Sequence, residues 1–108
     1  MVTIPKEKKT VFDWVEANQK RMSDFDKRIW NYAEPAWREY KSAKAYCDLL
    51  RGEGFKVVEG TGDMPTAFLA TYGKGKPVIA TYAEYDAVPG NSQKPVPYKA
   101  PRDGLHPW

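Results

Sequence analysis

Histidine and cysteine are nearly missing from this sequence. Of its 108 residues one is histidine, His106, and one is cysteine, Cys47. A single cysteine excludes an internal disulfide framework and a cysteine-only metal knuckle. Placed on an apolar helical stripe, it reads as a small core residue. A single histidine leaves the chain short of a metal centre of its own, because a complete site usually takes about three or four protein ligands. Long apolar runs are also lacking. Nothing approaches the roughly 20 residues that cross a bilayer, and the opening MVTIPKEKKT has no apolar stretch of the kind a secretory signal carries. The expectation is a cytoplasmic protein with no membrane partner. A basic stripe is missing too: 17 Lys and Arg lie scattered among 14 Asp and Glu, so nucleic acid is not an expected partner.

What the chain does contain is packing material. Hydrophobic residues make up 42% and charged residues 29%, with four Trp and seven Tyr, the balance of a globular protein and not of a disordered one. The size suits one small domain or part of a larger one. From about Thr10 to Ala33, Val11, Phe12, Val15, Met22, Phe25, Ile29 and Trp30 recur mostly at steps of three and four, which predicts a helix with Thr10 as its N-cap. Pro35 stops or bends it. A second helix is predicted from Trp37 or Tyr40 to Arg51, with Tyr40, Ala43, Tyr46, Cys47 and Leu50 inward and Gly52 or Gly54 closing it. Trp30, Trp37, Tyr40 and Tyr46 all read as core positions.

The period then changes to two. FKVVEG (55–60), TAFLATYG (66–73) and PVIATYAEY (77–85) read as strands, with YGKGKP as a hairpin connection between the last two. The predicted class is α/β: two helices followed by about three strands. Residues 1–90 form the expected folded portion. Residues 91–108, with Pro95, Pro97, Pro101 and Pro107, read as a proline-rich loop. Three strands and two helices leave a sheet edge and a sheet face uncovered, so the chain is expected to be the first part of a longer polypeptide.

The segment AEYDAVPG holds the most suggestive pair. Glu84 and Asp86 stand two apart, so on an extended chain both carboxylates point the same way, at the C-terminal end of a strand, where ligands gather in open α/β sheets. Such a pair suits a divalent metal, a supporting bond to a metal-bound imidazole, or split acid and base roles. The plainer alternative is a solvated strand end followed by a turn. His106 is either a ligand or an exposed loop residue. Glu34 and Glu39 flank the Pro35 break and either approach a site or act as helix-start acids. Ser42 and Ser92 lack the histidine and acid that would make a nucleophile.

From Ile29 to Gly90 the segments AEPAWREYKSA, the helix ending in GF, MPTAF, GKGKPVIA and EYDAVPG come in an order that resembles the M20 family of metallopeptidases and amidohydrolases. Within it they resemble specifically the branch that contains N-acyl-amino-acid and aminobenzoyl-glutamate hydrolases. The resemblance implies a hydrolase with a dinuclear Zn or Mn site, in which water activated by a Glu attacks an amide carbon beside an amino-acid carboxylate. It implies a homodimer of the full enzyme, and a small-molecule amide or aromatic amine as substrate. Asp86 matches an Asp that orients a metal ligand, and Glu84 matches the acid before it. The family's ligands lie in a later H-x-C-G-H-type segment, which this sequence lacks. The expected partner is therefore the remainder of the same polypeptide, and this chain alone is expected to be inactive. The alternative reading, from composition, is a small interaction module using KPVPYKAP as a proline-rich ligand.

Overall fold

The structure, a computed structural model, describes residues 4–102. The chain divides after Asn31 into two compact units, each described by itself. The first is essentially one helix, α1 (Lys6–Tyr32), of 27 residues. It starts four residues earlier than the apolar period suggests, because the Pro5 carbonyl already accepts the Lys9 N–H at 3.0 Å. Proline suits that position, since its own missing N–H would have no helical partner there. Thr10 is therefore not the cap. Its hydroxyl donates back to the Lys6 carbonyl at 3.1 Å from inside the helix. No residue of α1 is buried. The exposed ion pairs Lys9–Asp13 and Lys20–Asp24 each join residues one turn apart along it and, screened by solvent, add little to its stability.

The second unit begins where α1 ends. Ala33 takes a left-handed φ of 47° and Pro35 follows, so the helix cannot continue. After a turn, α2 (Tyr40–Gly52) runs for 13 residues. It closes on Gly54, which has φ 87°. The Gly54 N–H donates to the Arg51 carbonyl and the Phe55 N–H to the Leu50 carbonyl, both at 3.0 Å. That is the Schellman closure, and it selects Gly54 over Gly52. A methyl at Gly54 would meet only Tyr72 Cε2, at an ordinary 3.6 Å. Gly54→Ala should therefore cost about 1–2 kcal/mol through backbone conformation alone, read as a lower urea midpoint at unchanged slope.

Two strands follow, β1 (Lys56–Glu59) and β2 (Phe68–Thr71), antiparallel with Val57 opposite Ala70 and Val58 opposite Leu69. The α/β order of two helices and then strands is as the pattern predicts. The third predicted strand is not paired. Residues 78–85 have no ladder partner among the described residues, and Val78, Ile79 and Tyr82 are 84–87% exposed. A period-two sequence makes a segment fit for a sheet, but a strand also needs a neighbour to exchange hydrogen bonds with. For the same reason YGKGKP turns the chain without making a hairpin.

Both faces of the small sheet are apolar. The face with Val57, Phe68 and Ala70 is half-buried, whereas Val58 and Leu69 on the other are about half exposed. Apolar residues on both faces mark a sheet suited to being covered on both. Among the described residues the buried set is small: Ser42, Ala45 and Cys47 of α2, and Thr66. Of the aromatic residues expected in the core, Trp30, Trp37 and Tyr40 are 41–61% exposed. Trp37 lies in the turn before α2 with φ 66°, where helical spacing no longer decides which way a side chain points. Tyr46 does pack, its ring 5.2 Å from Tyr85 and 6.2 Å from Phe68.

Candidate functional site

Three segments of the second unit meet around a short polar network: the break AEP before α2, the turn MPT before β2, and EYDA. Glu34 lies just before Pro35, and its carboxylate folds back over the start of α2. There it accepts hydrogen bonds from the Lys41 N–H, the Ser42 N–H and the Ser42 hydroxyl, each at 2.9 Å. Those amides have no partner within the helix, and a negative charge at a helix start is favoured by the helix dipole. Glu39, at the nominal cap position, makes no capping bond. It instead accepts the Thr66 hydroxyl at 2.7 Å. The two acids flanking the proline are thus helix-start and loop-joining groups.

Two bonds then fasten the EYDA segment. The Tyr85 hydroxyl donates to the Thr66 carbonyl, and the Ala87 N–H donates to the Glu34 carbonyl at 2.7 Å. The Tyr85 ring lies against Tyr46 and Phe68, with centroids at 5.2 and 6.0 Å. Burial is the main cause that pushes the Tyr85 phenol up to about 12, with Glu39, Cys47 and Tyr46 adding to it. The folded state therefore holds this proton more tightly than the unfolded chain, whose phenol titrates near 10. Stability from this group is complete below about pH 10 and is lost as pH rises toward 12. One tyrosine should accordingly ionise late in an ultraviolet titration, together with a falling melting temperature, and Tyr85→Phe should remove that late step.

Tyr85 and Ala87 are half-buried, while Glu84 and Asp86 are exposed. The expected alternation holds even without a ladder, and the two carboxylates share the outward side of an extended segment. Ala33, Glu34, Pro35, Arg38, Tyr40 and Pro89 line an open groove of about 650 Å³, to which neither Glu84 nor Asp86 contributes. His106 lies outside the described residues. Among the described residues no three His, Cys, Asp or Glu side chains come together to hold a metal ion. The donor chemistry of Glu84 and Asp86 suits a supporting part, as hydrogen-bond acceptors for a ligand, and not a complete ligand set.

The remaining nucleophile candidates are occupied. Cys47 is 1% exposed, and burial, the largest cause, pushes its thiol up and away from the reactive thiolate. The Ser42 hydroxyl is committed to Glu34. Ser92 accepts the Arg102 N–H at 3.1 Å. The proline-rich loop curls round the Gln93 side chain, which donates to the Lys94 and Tyr98 carbonyls and accepts the Ala100 N–H. A loop closed in this way lacks the extended form that proline-ligand recognition uses. Thr66, Tyr85 and Gln93 are the residues that sequence reasoning missed. Only Tyr85 carried a signal, as the residue between two outward acids and hence facing in. No described helix is long and apolar enough to cross a membrane.

Comparison with known proteins gives two informative relatives. The chain is 42% identical to one of the subunits of p-aminobenzoyl-glutamate hydrolase from Escherichia coli over 82 residues, 76% of this chain and 17% of that protein. It is 31% identical to thermostable carboxypeptidase 1 of Saccharolobus solfataricus over 81 residues, 73% of this chain and 20% of that protein. The chain therefore spans a fifth or less of the length of these curated relatives. No protein-family profile matches it, and no solved structure does.

Proposed function

Because this chain belongs to the M20 family of metallopeptidases and amidohydrolases, we propose that it forms part of a metal-dependent hydrolase of carbon–nitrogen bonds in acyl- or aryl-amino acids. Both relatives are named as hydrolases, one of an aminobenzoyl-glutamate and one a carboxypeptidase. The two names share a bond type: an amide next to an amino-acid carboxylate. The observation that carries the reading is the EYDA segment, which presents Glu84 and Asp86 outward while Tyr85 and Ala87 are fastened to Thr66 and Glu34.

In this reading Asp86 accepts a hydrogen bond from a metal ligand supplied outside the chain, and Glu84 lines the site. The metal, Zn or Mn, when bound supplies polarisation of the amide carbonyl and a lower pKa for the attacking water. The chain's own residues orient and support. The uncovered sheet face at Val58 and Leu69 and the unpaired segment at Val78, Ile79 and Tyr82 are where the remainder of the polypeptide docks. The assembled enzyme acts in the cytoplasm as a homodimer. The Escherichia coli relative is itself named as one component of a larger enzyme, so a partnered assembly has a precedent among the relatives.

The test is an assay of the intact polypeptide against p-aminobenzoyl-glutamate and a series of N-acyl amino acids. Hydrolysis that a chelator abolishes and Zn or Mn restores is expected. Hydrolysis insensitive to chelation, or none toward any member of the series, refutes the proposal.

A further inference from the structure

Asp86 sits between two residues that are each tied to a different part of the unit. On one side the Tyr85 hydroxyl donates to the Thr66 carbonyl; on the other the Ala87 N–H donates to the Glu34 carbonyl at 2.7 Å. Each anchor is itself held. Thr66 is 7% exposed and gives its hydroxyl to Glu39, while Glu34 spends its carboxylate on the first amides of α2. The Tyr85 ring is further fixed between Tyr46 of α2 and Phe68 of β2. The alternation of an extended chain makes this bracket directional. A slip of one residue would turn Asp86 inward and Tyr85 outward, and both bonds oppose it.

We infer that Tyr85 is a positioning residue, which together with the Glu34 carbonyl sets the register and angle at which Asp86 presents its carboxylate to the reaction centre. The inference rests on the reading of Asp86 as a support of that centre. Tyr85 touches no reacting group. It acts by restricting Asp86, and misplacement of a supporting group by an ångström is enough to slow a reaction substantially. Its worth is that of a hydrogen bond with a half-buried donor, on the order of five- to tenfold in turnover.

The experiment is a double-mutant cycle in the intact hydrolase, on the substrate identified as active: Tyr85→Phe, Asp86→Ala and the pair. Tyr85→Phe keeps the ring and removes one oxygen. Expected are a kcat about five- to tenfold lower with KM little changed, and faster amide hydrogen exchange at Ala87. In the pair, Tyr85→Phe should have no further effect, because the group it positions is gone. Thr66→Val replaces the hydroxyl held by Glu39 with a methyl group and leaves the backbone carbonyl in place. It runs through the same cycle with the same sign expected, and stands in should Tyr85→Phe fail to fold. If Asp86→Ala slows the enzyme but Tyr85→Phe does nothing, or multiplies its full effect on top, the inference is overturned and the reading of Asp86 survives. If Asp86→Ala leaves activity unchanged, both fall.

Discussion

Glu34→Ala is expected to destabilise the second unit by about 3 kcal/mol. One part is the lost cap: the Lys41 and Ser42 amides, both bonded to this carboxylate at 2.9 Å, would turn to solvent, at about 0.5–2 kcal/mol. The other is Ser42, which is 1% exposed and gives its hydroxyl to the same carboxylate. A buried hydroxyl left without a partner costs a further 1–3 kcal/mol, roughly. Glu34→Gln should cost less, because one amide oxygen can still accept. Urea unfolding of the two variants checks this. Equal, small losses would mean that the carboxylate is not what starts α2.

Asp86→Ala has the second large effect, on activity and not on folding. The side chain is exposed, so its removal should leave the unfolding midpoint close to that of the parent. Metal affinity or turnover of the assembled enzyme should fall by about 10–100-fold, the usual cost of losing an acceptor that orients a metal ligand. The contrast between the two acids follows from burial and partners. Glu34 is consumed by structure, with both carboxylate oxygens bonded, whereas Asp86 is held by its neighbours with its carboxylate facing outward. Metal binding measured by titration, beside steady-state kinetics, separates the two effects.

How much of this could be read from residues alone depends on the range of the interaction. The helix ends were legible where a local rule fixes them: Ala33-Glu34-Pro35 ends α1, and Gly54 closes α2. Thr10 misled because a threonine before an apolar period resembles a cap, while Pro5 already supplied the start. Val78, Ile79 and Tyr82 have the composition of a strand, but pairing depends on a neighbour, which no local pattern contains. Trp37 and Tyr40 illustrate the same limit. Trp37 sits in the turn before α2 with φ 66°, where helical spacing selects no face, and Tyr40, expected on the inward stripe of α2, is its first residue and 57% exposed.

The candidate site shows a similar division. Glu84 and Asp86 were visible as a pair because period two is a local property, and the structure keeps them on one side. Their anchoring was not visible: Thr66 is 19 residues from Tyr85 and 27 from Glu39, and no spacing rule joins such positions. Glu34 was recognisable as a helix-start acid. Its second duty, offering its carbonyl to Ala87, is a backbone bond that side-chain identity does not encode. Those long-range bonds give the EYDA segment a fixed presentation without a strand partner.

The central claim, that this chain supplies support to a metal-dependent hydrolase and not the reaction itself, is tested most directly by reassembly. The chain is purified alone, then mixed with the remaining segment of the polypeptide in the presence of Zn or Mn, and hydrolysis of p-aminobenzoyl-glutamate or an N-acyl amino acid is measured in each case. The account predicts no hydrolysis by the chain alone and metal-dependent hydrolysis on mixing, lowered about 10–100-fold by Asp86→Ala. Hydrolysis by the isolated chain, or neither association nor activity with a folded partner, would contradict it.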